Sequence, residues 1–381
     1  MGRRTRKPDS IARIRHELLE WYDGNRRDLP WRSTEDPYAI WVSEIMLQQT
    51  RVAAVIERYV AFMTRFPTLI VLAAASEEDV LALWSGLGYY RRARLLHKAA
   101  QFVVDDLNGN MPASAEALRS LPGIGSYTSA AIASIAYGER VAVVDGNVVR
   151  VLCRLQGWDA DDRAGEAALR RKVEDAAAAT LDPKRPGDFN QALMELGATV
   201  CLPRNPQCLA CPLAPDCRTL GEHKTIPRPP MSNREVACAL AVRAGRRRGL
   251  ANREVLLEQR PASNTVMPKM WELPVLREAD LPEAELRMTV RHAIMQVNYV
   301  VRVRTVSRDD VAAMAKAEGE RRWVPISKAA AMALTGLARK VLTLAGLLPG
   351  AAKDALPSRP SRKYSVVSRQ PGNSAPDFAG V

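Results

Sequence analysis

The sequence predicts a mainly α N-terminal half followed by a smaller α+β domain. Three observations carry that prediction. Apolar residues recur at helical spacing from about residue 9 to 220, a proline-rich stretch interrupts at 222–234, and short β-branched runs follow it. With 381 residues, 47% of them hydrophobic, the chain holds enough apolar surface for more than one core.

In the first half Ile11, Ile14 and Leu18 set the helical period, and Val148, Val151, Leu152 and Leu155 repeat it. The stretch "HKTIPRPPMSNR" has three prolines and no apolar period, so 222–234 is expected to link a domain at 9–221 to one at 235–348. Beyond the linker "VACALAVRA", "EVLLEQR" and "NYVVRVRTV" read as strands, the first two joined by the basic turn "GRRRGLANR". Residues 349–381 are rich in Pro, Ser and Arg and poor in large apolar side chains. They cannot offset their ordering entropy, so a disordered basic tail is expected.

Lys and Arg number 55 against 42 Asp and Glu, a net charge of +13. That excess implies a polyanionic partner, without separating nucleic acid from an acidic membrane surface. No stretch approaches the roughly 18 uninterrupted apolar residues of a membrane span. The start "MGRRTRKPDS" also lacks the apolar middle of a secretion signal. A soluble cytoplasmic protein with no membrane partner is expected, associated with the nucleoid if its source is bacterial.

Of six cysteines, Cys153 and Cys238 sit alone in apolar runs, whereas Cys201, Cys208, Cys211 and Cys217 form the pattern C-x6-C-x2-C-x5-C. Four thiolates on one compact loop are a metal signature. Structural zinc and an iron–sulfur cluster both take four thiolates. Zinc modules, however, more often pair two C-x2-C knuckles, and only one is present.

Three other stretches carry polar residues that ordinary packing does not require. In "LPGIGSYTSAAIASIA", Gly123 and Gly125 precede an alanine-rich helical run, so the turn would expose backbone N–H groups at a helix N-terminus, a phosphate site. A plain helix–helix turn would look the same, and the Gly-Lys-Ser/Thr of a nucleotide phosphate loop is missing. In "VAVVDGNVVRVLCRL" the helical period after Asp145 favours a helix N-cap over a hairpin turn. In "WVSEIMLQQTRV" a continuous helix would put Glu44, Gln48 and Arg51 on one stripe, with Val42, Ile45, Met46 and Val52 facing inward. Its plain reading is a surface carboxylate making helix pairs.

Taken in order, "RRDLPWR", "WVSEIMLQQTRV", "LPGIG", "VVDGNV" and the four-cysteine loop make residues 10–225 resemble the MutY-type adenine DNA glycosylases, helix–hairpin–helix enzymes of the endonuclease III superfamily. The resemblance implies a structural [4Fe-4S] cluster on Cys201, Cys208, Cys211 and Cys217, with Arg204 of "LPRNP" carried toward a phosphate. It implies that Glu44 is the general acid, kept protonated by apolar neighbours such as Trp31, Trp41, Ile45 and Met46. Asp145, supported by Asn147 and Tyr127, then stabilises or transiently captures the oxocarbenium-like sugar.

The substrate so implied is double-stranded DNA with adenine opposite 8-oxoguanine or guanine, the adenine flipped out of the stack. Gln48, Gln49, Thr50 and Tyr89 are matched to strand-probing positions, Gly123 and Gly125 to the hairpin, and Arg27 and Gln191 to positions holding the extruded base. Tyr89 has a core alternative, and Arg27 and Gln191 a structural one. Arg91, Arg92 and Arg94 would lie near phosphates. The protein is expected to act as a monomer.

"EVLLEQRPASNTVMPKMWELP" resembles the Nudix-like lesion-recognition domain of these enzymes, but no R-E-x-x-E-E run follows, so no pyrophosphatase activity is expected. In "RHAIMQVNY", Ile294, Met295 and Gln296 stand where the family has an F-S-H-like turn, and His292 matches an upstream family histidine. Two rival readings stand beside the main one. A bifunctional endonuclease III-like glycosylase/lyase carries a Schiff-base lysine two residues after the last hairpin glycine, where this chain has Tyr127. A non-catalytic DNA-binding iron–sulfur protein need keep neither Glu44 nor Asp145.

Overall fold

The computed structural model describes residues 8–158, 165–223, 230–245, 253–276, 285–294, 296–312, 314 and 318–349. The expected tail beyond Pro349, most of the basic turn, the middle of the linker and Met295 lie outside the described residues.

The helical half runs α1 (Pro8–Asn25), α2 (Pro37–Leu47), α3 (Val52–Arg65), α4 (Leu69–Ala73), α5 (Glu77–Trp84), α6 (Arg91–Asp106), α7 (Ala115–Leu118), α8 (Ser126–Ala136), α9 (Gly146–Gln156), α10 (Glu166–Thr180) and α11 (Pro186–Thr199). Several starts follow from capping chemistry. Asp36 accepts the Tyr38 N–H with Pro37 in the first turn of α2, Ser76 caps α5, Ser114 caps α7 and Asp145 caps α9.

These helices enclose two apolar cores. One gathers Trp41, Ile45, Met46, Phe62, Trp84, Leu96 and Ile132, chiefly from α2 to α8. The other gathers Ile14, Leu18, Val151, Leu152, Phe189 and Leu193, with the cysteine loop packed against it.

The single stripe expected for "WVSEIMLQQTRV" does not form. The α2 helix ends at Leu47, Gln48 leaves helical geometry, Gln49 is left-handed at φ 56°, and Arg51 becomes the N-cap of α3. Nor is there a solvent face, since Tyr38 through Met46 are all buried. The exception is chemical: Glu44 is a carboxylate on a helix buried all round.

The second half is built on a mixed sheet of β1 (Ser232–Ala244), β2 (Arg253–Gln259), β3 (Trp271–Glu272), β4 (Val275–Leu276), β5 (Leu286–Ile294), β6 (Val297–Val306) and β7 (Arg321–Pro325). The main path is β3-β2-β1-β6-β5, with β4 joining β1 and β7 joining β2. The three expected strands are β1, β2 and β6, while β5 is an additional one. Short helices α12 (Arg308–Val311), α13 (Ile326–Ala329) and α14 (Gly336–Leu344) complete this half.

The two halves touch within one compact unit that ends at Leu348. Ser85 and Tyr90 donate to the Leu334 carbonyl at 2.9 and 3.1 Å, and Met270 and Ala333 enter the first helical core. No helix among the described residues is long and apolar enough to cross a membrane.

Candidate active site

A cleft of about 620 Å³ lies between elements of the two helical cores, within the usual size range of small-ligand pockets. The α2 helix supplies Glu44 and α8 supplies Tyr127. The start of α9 supplies Asp145 and Asn147, and α11 supplies Gln191, Met194 and Glu195. Residues separated by a hundred positions in sequence thus face one space.

Glu44 is only 6% exposed, surrounded by the buried Trp41, Ile45 and Met46 of its own helix. Its Oε2 accepts a 2.6 Å hydrogen bond from the Tyr127 hydroxyl, which also lies 3.4 Å from the Met194 sulfur. Burial, opposed by the Tyr127 hydrogen bond and Arg32 and reinforced by the negative charge of Asp145, leaves the Glu44 carboxyl raised to about 7. The Tyr127 hydroxyl is itself pushed well above its ordinary value, by burial first and then by Glu44. It therefore serves as a donor.

Asp145 has both oxygens occupied as acceptors, Oδ1 from the Val148 N–H at 2.7 Å and Oδ2 from the Asn147 amide at 2.9 Å. The cap thus fixes the carboxylate without burying it. Asn147 is held in turn by Arg150, whose Nη2 donates to its Oδ1 at 2.8 Å and whose Nε reaches the Cys201 carbonyl at 2.8 Å.

Trp31 and Gln191 line the cleft, and Arg27 reaches it with its guanidinium committed. Nε and Nη2 of Arg27 each donate at 2.7 Å to Glu195, which also accepts at 2.7 Å from Arg32. Burial alone would raise the 1%-exposed Glu195, but hydrogen bonds from the two guanidiniums outweigh it and hold the carboxyl at about 2. Sequence reasoning missed this anchor. The available signal was spacing, because Gln191, Met194, Glu195 and Ala198 fall at i, i+3, i+4 and i+7 and all line the cleft.

On the rim, Gln48 donates to Thr128 Oγ1 at 3.2 Å, Gln49 is exposed, and Thr50 faces the Leu87 carbonyl at 3.4 Å. Tyr89 is 49% exposed with a left-handed φ of 48°, which removes its core alternative. Gly123 also adopts positive φ, and a Cβ there would lie 2.6 Å from Leu95, so only glycine fits that corner of the hairpin between α7 and α8. Gly125 caps α8 and is exposed.

Of the arginines expected near phosphates, Arg91 and Arg204 are exposed. Arg94 instead pairs with Glu77 and donates to the Pro268 carbonyl at 2.6 Å, tying the two halves together. Arg92 is turned inward beneath the rim loops, where it donates hydrogen bonds to backbone carbonyls.

Cys201, Cys208, Cys211 and Cys217 line a common small cavity. Arg154 borders it, with Nη1 3.3 Å from the Cys201 sulfur and a buried Nε that has no hydrogen-bond partner. Among the described residues no group of three or more His, Cys, Asp or Glu side chains converges on a single metal ion. Four thiols lining one cavity beside the buried Arg154 are a donor set of the kind that zinc and iron–sulfur centres both use.

In the second half, His292 lies against the start of α14, and burial and Lys340 push its pKa down. Ile294 ends β5, and the Gln296 carbonyl accepts the Ser232 N–H at 3.0 Å. Glu254, Glu258 and Glu272 pair with Arg243, Arg321 and Arg260.

Residues 42–175 match the HhH-GPD superfamily base excision DNA repair protein family. The chain is 52% identical to the adenine DNA glycosylase of Homo sapiens over 217 residues, 55% of this chain and 39% of that protein. It is 46% identical to the adenine DNA glycosylase of Mycobacterium tuberculosis over 209 residues, 54% of this chain and 68% of that one. The chain belongs to the adenine DNA glycosylase family. A solved thermostable thymine-DNA glycosylase covers 56% of the chain at 29% identity with a TM-score of 0.51, so the helical fold is shared with that enzyme.

The family match contains Glu44, Tyr127, Asp145 and Asn147 and ends before the cysteine loop. The aligned stretch spans about two fifths of the human protein's length.

Proposed function

We propose that the chain is a monofunctional DNA glycosylase that hydrolyses the bond between adenine and deoxyribose where adenine is mispaired with 8-oxoguanine or guanine. The observation that carries this reading is Glu44, a buried carboxyl poised near 7 in the same cleft as Asp145, whose two oxygens accept from Val148 and Asn147. A carboxyl in that state can give its proton to the purine ring as the C1′–N9 electron pair departs with the base. Asp145 as an anion stabilises the cationic sugar left behind. Water adds its oxygen to C1′ and releases its proton to the emptied Glu44 carboxylate.

Tyr127 supports the monofunctional reading, because it stands at the lyase lysine position and its hydroxyl is committed to Glu44. Among the described residues that line the cleft none is a lysine. Gln49 and Tyr89 enter the duplex in this reading, while Trp31, Arg27 and Gln191 border the space for the extruded base.

A [4Fe-4S] cluster would be held by Cys201, Cys208, Cys211 and Cys217. When bound it would supply a covalent cross-link among the four cysteines that fixes the loop at 201–217. The mixed-sheet half is proposed as a separate domain that reads the lesion strand.

The test is single-turnover cleavage of a duplex holding one adenine opposite 8-oxoguanine, divided between samples with and without hot alkali. Breaks only after alkali are expected. Breaks without alkali would assign a lyase, and no breaks in either sample would leave a binding protein.

A further inference from the structure

Arg92 is the sequence-expected phosphate contact whose half-buried guanidinium the structure turns inward. We propose that it is a positioning residue, a clamp that fixes residues 47–51 and 86–90 relative to each other as one preformed wedge for DNA. The inference rests on the reading of Gln49 and Tyr89 as residues that enter the duplex.

One guanidinium serves both loops. Nη1 of Arg92 donates to the carbonyls of Ile45 at 2.6 Å, Met46 at 3.3 Å and Gln48, the groups that the end of α2 leaves without helical partners. Nη2 donates to Thr50 Oγ1 at 3.2 Å on the first loop, and faces the Leu87 and Gly88 carbonyls at 3.4 and 3.3 Å on the second. The fork also lies over two rings, Trp84 at 5.6 Å and Tyr89 at 5.5 Å. None of these acceptors is a carboxylate. The positive charge under the wedge is therefore not cancelled by an ion pair, which suits an approaching phosphate backbone.

Both loop tips need such a clamp. Gln49 at φ 56° and Tyr89 at φ 48° are non-glycine residues in the left-handed region, each held there at a cost of about 1 kcal/mol or more. Without the fork, each loop has a lower-energy backbone to relax into, and the side chains that part the strands lose their common register. A lysine cannot substitute, because its ammonium is a point donor on a flexible stem and lacks two opposed faces of donors. Preformed wedges spare the ordering entropy that base extrusion would otherwise meet.

The test uses Arg92→Lys in the full chain, read in two ways. Base extrusion is followed by the fluorescence of 2-aminopurine placed at the target adenine, in a Glu44→Gln background that keeps the base attached. Excision is followed at saturating enzyme. The clamp predicts a clear loss of the fluorescence gain and a roughly ten- to hundredfold slower saturated excision, with affinity for undamaged duplex changed less than about twofold. A phosphate contact predicts otherwise: lysine keeps the charge, so duplex affinity, salt slope, fluorescence gain and saturated rate would all stay close to wild type, which would overturn the clamp.

Thr50→Val removes one arm of the fork while leaving the guanidinium half-buried, so it gives a milder loss in the same direction should the lysine variant fold poorly. In a Gln49→Ala/Tyr89→Ala background the Arg92→Lys effect should all but disappear. An undiminished effect would show that Arg92 acts elsewhere. If the wild-type chain releases no adenine, the proposed activity fails, while 2-aminopurine unstacking still tests the clamp.

Discussion

Glu44 and Glu195 are two glutamates in one cleft, both buried, yet one carboxyl stands at about 7 and the other at about 2. Burial opposes ionisation in both. What separates them is the partner each fold element delivers: α2 and α8 bring Glu44 a neutral phenol within an apolar shell, while the stretch before α2 brings Glu195 two guanidiniums. The same residue type is thus a carboxyl that can hold a proton near neutral pH on one wall and a permanent anion on the other. The anion also fastens α11 to the stretch before α2, which holds the floor of the cleft in register with its acid.

The comparison is broken most severely by Glu44→Gln. Removing the proton donor is expected to slow saturated adenine release by about 10² to 10⁴-fold with little change in DNA affinity, as for other general acids. Burst amplitude and rate in single turnover check it. In the wild type the rate should fall as pH rises through about 7, because only the protonated carboxyl gives a proton. A rate that rises over that range would mean Glu44 acts as a base.

Glu195→Gln strikes the other side. It leaves Arg27 and Arg32 facing a neutral amide, and the expected loss of stability is about 3 kcal/mol, the low end for breaking a buried pair because water reaches Arg27. Chemical denaturation checks it. The pH signs differ for the two glutamates. Glu195, lowered from 4.5 to about 2, contributes stability that is complete above 4.5 and lost as pH falls toward 2. Glu44, raised from 4.5 to about 7, favours the folded state fully below 4.5, and that advantage is lost as pH rises through 7. Each Gln variant should flatten the stability profile in its own window only.

Much of this was legible in the chain. Helical period gave the first half, the Asp145 cap followed from local chemistry, and the cysteine spacing marked the loop that lines one cavity. What failed were inferences that needed tertiary partners. The stripe through Glu44, Gln48 and Arg51 assumed a helix that continued, whereas α2 stops at Leu47, Gln49 turns left-handed and Arg92 collects the carbonyls at the helix end. Arg92 and Arg94 looked like phosphate ligands by charge, but their acceptors include groups 17, 42 and 174 positions away in sequence. Glu195 was invisible for the same reason: its two partners are 163 and 168 residues distant. Periodicity and capping are local, and ion-pair partners are not.

The smallest change expected sharpens the comparison from within the Glu44 wall. Tyr127→Phe removes the donor that favours the ionised form of Glu44, leaving burial and Asp145 opposed only by Arg32. The acid should then hold its proton to higher pH, so the fall in rate moves upward, while the rate on the acid side drops by about tenfold or less, the worth of one hydrogen bond. Both parts are read from one pH series of single-turnover rates. A fall that moves to lower pH would mean that Tyr127 supports the protonated carboxyl rather than its anion. The contrast between the two glutamates would then owe more to the phenol than to the apolar shell.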